Sequence, residues 1–485
     1  MDNDGTVNNK FSSRPQMVKL YPDQQALEQK IHAAWAKGHR NVLAVLPTGG
    51  GKTVIFSKIL ADEQVPSIAI AHRQELVAQI SLALARNGVR HRIIGPESVA
   101  QICRRQHISE LQKNYIEPGA AVAVAGVDTL VRLDGKAGWM KQIKLVVQDE
   151  AHHVLKVNKW GVAAGMFPNA KMLGVTATPV RADGKGLGRH VDGLFHILVE
   201  GPTMRELIDR GRLTEYRIFA PVTVDLNLGD VPISAGGDFS PQKLAVAVHK
   251  SHIVGDVVKS YERFANGKLG VTFAVDVQSA TEIAKAYRDA GIPAEVVTAE
   301  TDPAYRAAIL RKFRNRQLLQ LVNVDLFGEG FDLPAIEVVS MARPTQSFSL
   351  YCQQFGRALR LLEGKTHAIV IDHVGNVIRH GLPDAPRVWT LDGRDRRASS
   401  KKSDVVPVRT CVKCVSAYEA YLIKCPYCGN VPEPAARSTP EAVDGDLAEL
   451  DFETLARMRG EVLRGPTFPH GASPAIVGKI GRAHV

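Results

Sequence analysis

The sequence predicts an α/β protein with two tandem parallel-sheet lobes and a small cysteine-rich ribbon towards its C-terminus. Three observations carry that reading. Short apolar runs of strand length alternate with stretches of helical spacing over residues 16–200, and again over 256–395. That is the pattern of βα units, whose parallel strands need helical crossovers. A glycine-rich turn, LPTGGGKT at 46–53, joins a strand to a helix in the first block. Four of the six cysteines fall in two CxxC pairs, Cys411/Cys414 and Cys425/Cys428.

The bulk properties narrow the class. A chain of 485 residues holds two or three domains plus tails. With 45% apolar and 23% charged residues it has globular proportions. No apolar run approaches the roughly 18 residues of a membrane span, so no membrane partner is expected. The polar start lacks the apolar core of a signal peptide, which points to the cytoplasm. A net charge of +11 favours a polyanionic partner. Residues 1–15, polar and without periodicity, are expected to be a disordered tail.

The first lobe is expected over 16–200. Leu27, Ile31, Ala34 and Trp35 recur at helical spacing, and Gly38 can cap that helix. Gln24 sits in its first turn, where the amide either faces solvent or reads the edge of a base. Residues 41–45 form a buried strand that feeds the glycine-rich turn, and 54–60 begin a helix. Around Thr48, Gly49, Gly50 and Gly51 the backbone N–H groups can curl about phosphate oxygens, with the helix dipole behind them. Lys52 can reach the β- and γ-phosphates, and the Thr53 hydroxyl can ligate magnesium. A second strand, 67–71, ends in His72 and Arg73, and a helix starts near Glu75. An arginine at that position suits a phosphodiester backbone. Residues 92–118 carry no readable signal. A strand over 120–127 is followed by Thr129.

KLVVQDEAH, 144–152, is an apolar strand ending in two adjacent carboxylates. Phosphoryl transfer needs one carboxylate to hold magnesium and a group to orient the attacking water. Asp149 fits the first role and Glu150 the second, while His152 has the reach to couple them to a neighbouring strand. Thr176 and Thr178, at the end of a strand from 172, can hydrogen-bond this motif.

Residues 201–255, with Pro221, Pro232, Gly236, Gly237 and Pro241, read as a connector. In the second lobe, 256–395, strands at 269–275, 294–298 and 317–324 alternate with helices at 279–287 and 305–313. It has no phosphate-binding turn of its own. It carries DLFGEGFD, 325–332, and QQFGRALR, 353–360. Arg357 and Arg360 are three apart and so expected on one helix face, a pairing that suits a triphosphate approached from the opposite lobe.

A basic linker and the ribbon fill 396–432. Two CxxC units ten residues apart point to a metal rather than a redox dithiol. Four thiolates from Cys411, Cys414, Cys425 and Cys428 make a closed tetrahedral zinc site, structural because no ligand position stays open. Cys103 and Cys352 read as packed thiols. Tyr418, Tyr421 and Tyr427 near Lys424 suit stacking on unpaired bases. Residues 433–485 are expected to be a loosely ordered tail. The last six match the translation of a sequencing-adapter read-through and are expected to be an artefact.

Taken as an ordered set, LPTGGGKT, AHRQELVAQ, QDEAH, TATP, FGEGFD and QQFGRALR resemble helicase superfamily 2, the DEAH-box ATPases, over roughly 20–392. The cysteine-rich C-terminus looks most like the RadD-type bacterial and phage DNA-repair helicases. The resemblance implies two RecA-like lobes that clamp one ATP with magnesium and bind nucleic acid across their tops, followed by a zinc ribbon. It places Gln24 at adenine, and Gly330 and Asp332 near the ribose and lobe interface. It makes Arg360 the arginine finger supported by Arg357, and puts Arg73 and Thr129 at the nucleic-acid backbone. Leu46 stands where the family commonly has Ala or Gly. The implied activity is an ATP-dependent DNA helicase or translocase in repair, recombination or phage DNA metabolism. Two alternatives stay open: an RNA substrate, and a non-translocating clamp that recruits a repair or replication protein through the ribbon.

Overall fold

A computed structural model describes residues 18–133, 138–181, 183–221, 226, 228–234, 236–249, 253–324, 336–393 and 406–432. The first lobe is a seven-stranded sheet of β1 (Asn41–Val45), β2 (Ser67–Ala71), β3 (His91–Ile94), β4 (Val122–Gly126), β5 (Leu145–Gln148), β6 (Lys171–Thr176) and β7 (Ile197–Glu200), ordered β3-β4-β2-β5-β6-β1-β7. Every pairing is parallel. The central strands are buried on both faces, which is why they read as uninterrupted apolar runs. β2 shows the alternation: Ala69 and Ala71 join the core under the helices Pro22–Ala36 and Lys52–Glu63, while Ile68 and Ile70 join the core on the other face with Val146 and Phe195.

Because all strands run one way, their carboxyl ends share one edge of the sheet. That edge carries the glycine-rich turn after β1, the two carboxylates after β5 and the threonines at the end of β6. β3 and the helix Glu97–Leu111 occupy the stretch that carried no signal. There Ser81 Oγ lies 2.7 Å from His91 Nε2 and 3.1 Å from His107 Nε2, all three residues buried.

The second lobe is a six-stranded sheet of β8 (Tyr216–Phe219), β9 (Gly270–Phe273), β10 (Ala294–Val297), β11 (Gln320–Asn323), β12 (Val338–Met341) and β13 (Ala368–Asp372), ordered β10-β11-β9-β12-β13-β8 and also parallel throughout. β8 lies inside the stretch expected as a connector, yet it pairs with β13 from Tyr216↔Ala368 to Phe219↔Ile371. The prolines and glycines that suggested an irregular excursion all follow this four-residue strand.

Two further features join the parts. The ribbon is a hairpin of β14 (Val408–Thr410) and β15 (Ala417–Glu419). Before it, residues 382–393 run back from the second lobe onto the first as a strap. The Leu187 and Gly188 N–H groups donate to the Leu391 carbonyl at 3.0 and 2.9 Å, and His190 Nε2 meets Asp392 Oδ1 at 2.6 Å. A Cβ at Gly186 would stand 2.5 Å from Gly393 N, so only glycine lets the strap seat there. Among the described residues no helix is long and apolar enough to cross a membrane.

Candidate functional site

The turn after β1 is shaped by its glycines. Gly49 and Gly51 have φ of +85° and +93°, in the left-handed region. Gly51 is the N-cap of the helix Lys52–Glu63, with no side chain capping the helix's first N–H groups. Those free donors and the dipole make the turn an anion cradle. Leu46, the unusual first residue, is 2% exposed and packs in the lobe core, and a Cβ on Gly50 would come within 2.8 Å of its Cγ. Gln24 is 2% exposed, so its amide does not face solvent. Its Nε2 donates to the Gly50 carbonyl at 3.1 Å and its Oε1 accepts from Tyr21 N–H at 3.0 Å, which braces the turn.

Beside the turn, Asp149 and Glu150 are 3% and 8% exposed. Glu150 has φ +47°, an uncommon conformation for a side chain of its size. Asp149 Oδ1 accepts its N–H at 2.9 Å. Lys52 Nζ stands 3.6 Å from Glu150 Oε1. Glu150 Oε2 is buried without a hydrogen bond, and His152 Nδ1 lies 3.4 Å from it. Burial first, and the Glu150 charge second, push Asp149 up to about 7 against the pull of Lys52. Two buried carboxylates facing one ammonium, with one oxygen orphaned, fit a site that a divalent cation completes. His152 Nδ1 also lies 3.0 Å from Thr176 Oγ1, and Thr178 Oγ1 donates to Ser349 Oγ of the second lobe at 2.7 Å.

From the second lobe comes the helix Phe348–Ala358, N-capped by Ser347, whose hydroxyl accepts from Leu350 N–H. Its Gly356 faces the turn so closely that a Cβ there would stand 2.7 Å from Thr48 Cβ. Arg357 is in its last turn and 6% exposed. Arg360 lies beyond the helix end, so the two arginines do not share a helix face as the spacing predicts. The chain turns at Leu359, and the Arg360 carbonyl accepts from Lys365 Nζ at 2.8 Å and Thr214 Oγ1 at 3.3 Å. Both arginines nevertheless line one cavity of about 390 Å³ together with the glycine-rich turn, Lys52, Thr53 and the two carboxylates. Arg212 lines it too, a residue that sequence reasoning missed because RGR at 210–212 matches no motif. Its guanidinium lies 3.6 Å over the Tyr21 ring and donates to Asp23 Oδ1 at 2.6 Å. Gly330 and Asp332 lie outside the described residues. Arg73 and Thr129 lie two and three residues beyond the ends of β2 and β4, which pair as Ala71↔Gly126, so the fold brings both to the same edge.

The four ribbon cysteines form a separate cluster. Their sulfurs all lie within 4.8 Å of one another, with Cys411–Cys428 at 3.6 Å and Cys414–Cys425 at 3.7 Å. A tetrahedral ion with bonds of about 2.3 Å needs sulfurs about 3.8 Å apart, so the donor set fits a closed four-thiolate centre. Val415 N–H to the Cys411 carbonyl and Gly429 N–H to the Cys425 carbonyl close the two knuckles. Tyr418 is 2% exposed and packs on the cluster, which removes it from the surface expected to stack on bases. Tyr421 and Ile423 remain 71% and 84% exposed. The ribbon is anchored to β8: Phe219 and Ser416 form an antiparallel bridge, and Arg217 Nε donates to Ser416 Oγ at 2.8 Å.

Residues 17–181 match the family described as Type III restriction enzyme, res subunit, and 253–361 match the Helicase conserved C-terminal domain. The chain is 30% identical over 389 residues to a 51.5 kDa protein of a Lactococcus phage (isolate 7-9), covering 79% of this chain and 76% of that one. It is 30% identical over 393 residues to "Putative ATP-dependent helicase IRC3" of Saccharomyces cerevisiae, covering 77% of this chain and 53% of the yeast protein. The chain thus spans about half the length of that relative. Among solved structures, the ATP-dependent Type ISP restriction-modification enzyme LlaBIII bound to DNA shares the two-lobe fold with a TM-score of 0.52 at 16% identity, over 74% of this chain and 28% of that one.

Proposed function

The chain belongs to helicase superfamily 2, and from that membership we propose that it is an ATP-driven motor that moves along nucleic acid, with DNA the favoured track. The observation that carries the reading is the cavity shared between lobes, where the glycine-rich turn and carboxylates of one lobe face Arg357 and Arg360 of the other. A triphosphate held there touches both lobes, so its hydrolysis changes how firmly they close.

In this reading Lys52 holds the β- and γ-phosphates, and Thr53 and Asp149 hold the magnesium ion. When bound, magnesium neutralises charge on the phosphate oxygens. Glu150 orients the attacking water and takes its proton. Arg360, with Arg357, stabilises the charge that develops on the transferred phosphoryl group. Gln24 braces the turn and meets the adenine. The chain His152–Thr176 and the Thr178–Ser349 bond relay the state of the carboxylates to the second lobe. Arg73 and Thr129 contact backbone phosphates at the shared strand edge, which makes the grip independent of sequence. Zinc occupies the four-cysteine centre and folds a segment too small to hold a core of its own. A RadD-like repair role, with the ribbon as a platform for a partner protein, extends the same reading.

The strap from 382–393 onto the first lobe favours one other reading, an ATP-dependent clamp that grips DNA without moving. The test is ATP turnover beside single-stranded, duplex and forked DNA and RNA, run with displacement of a labelled strand. Stimulated turnover with displacement supports the motor. Stimulation without displacement supports the clamp, and no stimulation by any nucleic acid rejects both.

A further inference from the structure

Away from the shared cavity, the carboxyl ends of β8 and β13 open on a smaller one of about 220 Å³, several times the roughly 30 Å³ that a water occupies in the liquid. Three parts of the chain build it: Phe219 and His373 at the strand ends, Lys259, Arg263 and Phe264 on the helix Ile253–Ala265, and Val415 of the ribbon. Its wall is already organised. The Phe219 and Phe264 rings stack at 4.1 Å with 13° between planes. The Arg263 guanidinium lies 4.9 Å from the Phe264 ring, and that of Arg217 lies 4.9 Å from the Phe219 ring. A guanidinium resting on a ring loses less freedom when it meets a ligand.

The exposed charges of the cavity have one sign, those of Lys259 and Arg263. Lys259 and Arg263 are one helical turn apart. Among the described residues neither has a carboxylate within ion-pair distance. Asp372 is the one acidic residue in the lining, and it is 1% exposed. Its carboxylate accepts the N–H groups of Val374 and Val377 at 3.2 and 2.7 Å, which holds its charge inside the lobe. His373 lines the cavity with a buried Nε2 that has no hydrogen-bond partner. A buried polar atom left unsatisfied marks a place where a ligand or water atom belongs.

We propose that this cavity is an anion subsite that takes a backbone phosphate of the nucleic-acid strand, held by Lys259 and Arg263. This rests on the reading of the chain as a nucleic-acid motor and adds a second contact to it, at the junction of second lobe and ribbon. A strand is favoured over a free phosphate because Lys259 and Arg263 are both exposed, so a backbone running past the cavity can reach them. A strand seated here also meets the ribbon, whose Lys413 and Lys424 are exposed.

The experiment uses the full chain with Lys259→Glu/Arg263→Glu and the milder Lys259→Gln/Arg263→Gln. Both positions are exposed, and neither touches the ATP cavity. Affinity for a fluorescent single-stranded oligonucleotide is measured across a salt series, with basal ATP turnover alongside and thermal shifts with inorganic phosphate alone. The expected result is a slope of log affinity against log salt that shrinks by about 0.7 per lost contact, about 1.4 for the pair. Basal turnover stays unchanged. A wild-type chain that binds the oligonucleotide while both variants keep its affinity and slope overturns the subsite. So does phosphate that stabilises the wild type but not the variants while oligonucleotide binding stays the same, which assigns the cavity to a free anion. A wild-type chain that binds no oligonucleotide overturns the motor reading itself, and this subsite with it.

Discussion

Substituting Gly356 by alanine separates folding from function. The added Cβ would stand 2.7 Å from both Thr48 Cβ and Thr48 Cγ2, across the junction between lobes. Carbon atoms pack at roughly 3.5–4.0 Å, so the helix Phe348–Ala358 and the glycine-rich turn must part by about 1 Å. Overpacking of this kind costs about 1–3 kcal/mol. The cost falls on the lobe-closed arrangement alone, because within the second lobe alanine favours the helix that holds it. A penalty of about 1–3 kcal/mol on closure is about a 5- to 150-fold loss in the closed population. We therefore expect kcat/KM for ATP to fall by that range while the melting temperature holds or rises. Steady-state turnover and thermal unfolding of the same preparation check it. Gly165→Ala is the control, since nothing lies within 4 Å of its added Cβ. Wild-type turnover in Gly356→Ala, or a drop in turnover that tracks a drop in melting temperature, would refute the reasoning.

Three further predictions follow from the sites. Glu150→Gln should retain ATP and trap nucleic acid while hydrolysis stalls, because only water activation is lost; failure to bind ATP, read by a fluorescent analogue, would reverse the roles of Asp149 and Glu150. Cys425→Ser with Cys428→Ser should lose bound zinc by metal analysis and, because the ribbon is bonded to β8 through Ser416, also lower the melting temperature of the second lobe; full zinc retention would contradict the centre. Acid should destabilise the first lobe through His91, which burial pushes down to about 4. Its folded pKa lies below its unfolded value near 6.5, so the unfolded chain binds the extra proton and stability falls as pH drops from about 6.5 to about 4, by at most about 1.4 kcal/mol per pH unit. Urea unfolding of the wild type and His91→Gln across that window checks it, the variant showing the shallower loss.

The parts legible in the sequence are those whose signal is local. β1 and β2 run over the predicted residues because both are buried on two faces and bounded by turns. The glycine-rich turn, the carboxylates and the cysteine pairs carry their chemistry within a few residues. β3 stayed unreadable because three of its four residues are only partly buried and it mixes His and Arg with Ile. β8 was hidden because an edge strand of four residues makes little apolar run. Arg360 left its expected helix face because nothing local announced the end at Ala358. The bracing of the turn by Gln24, the reach of Arg212 to Asp23 and the seat of the strap at Gly186 and Gly188 all join residues distant in sequence. Pattern reading has no access to such contacts, which exist only once the sheets are assembled.

The central claim is that one ATP is worked on by residues from both lobes. The direct measurement is ATP turnover of Arg360→Ala with and without single-stranded DNA, beside its affinity for a nucleotide analogue. The account predicts nucleotide affinity within a few-fold of wild type and turnover reduced by about 10³-fold or more, with DNA unable to restore it. Turnover within tenfold of wild type, at unchanged affinity, would contradict it.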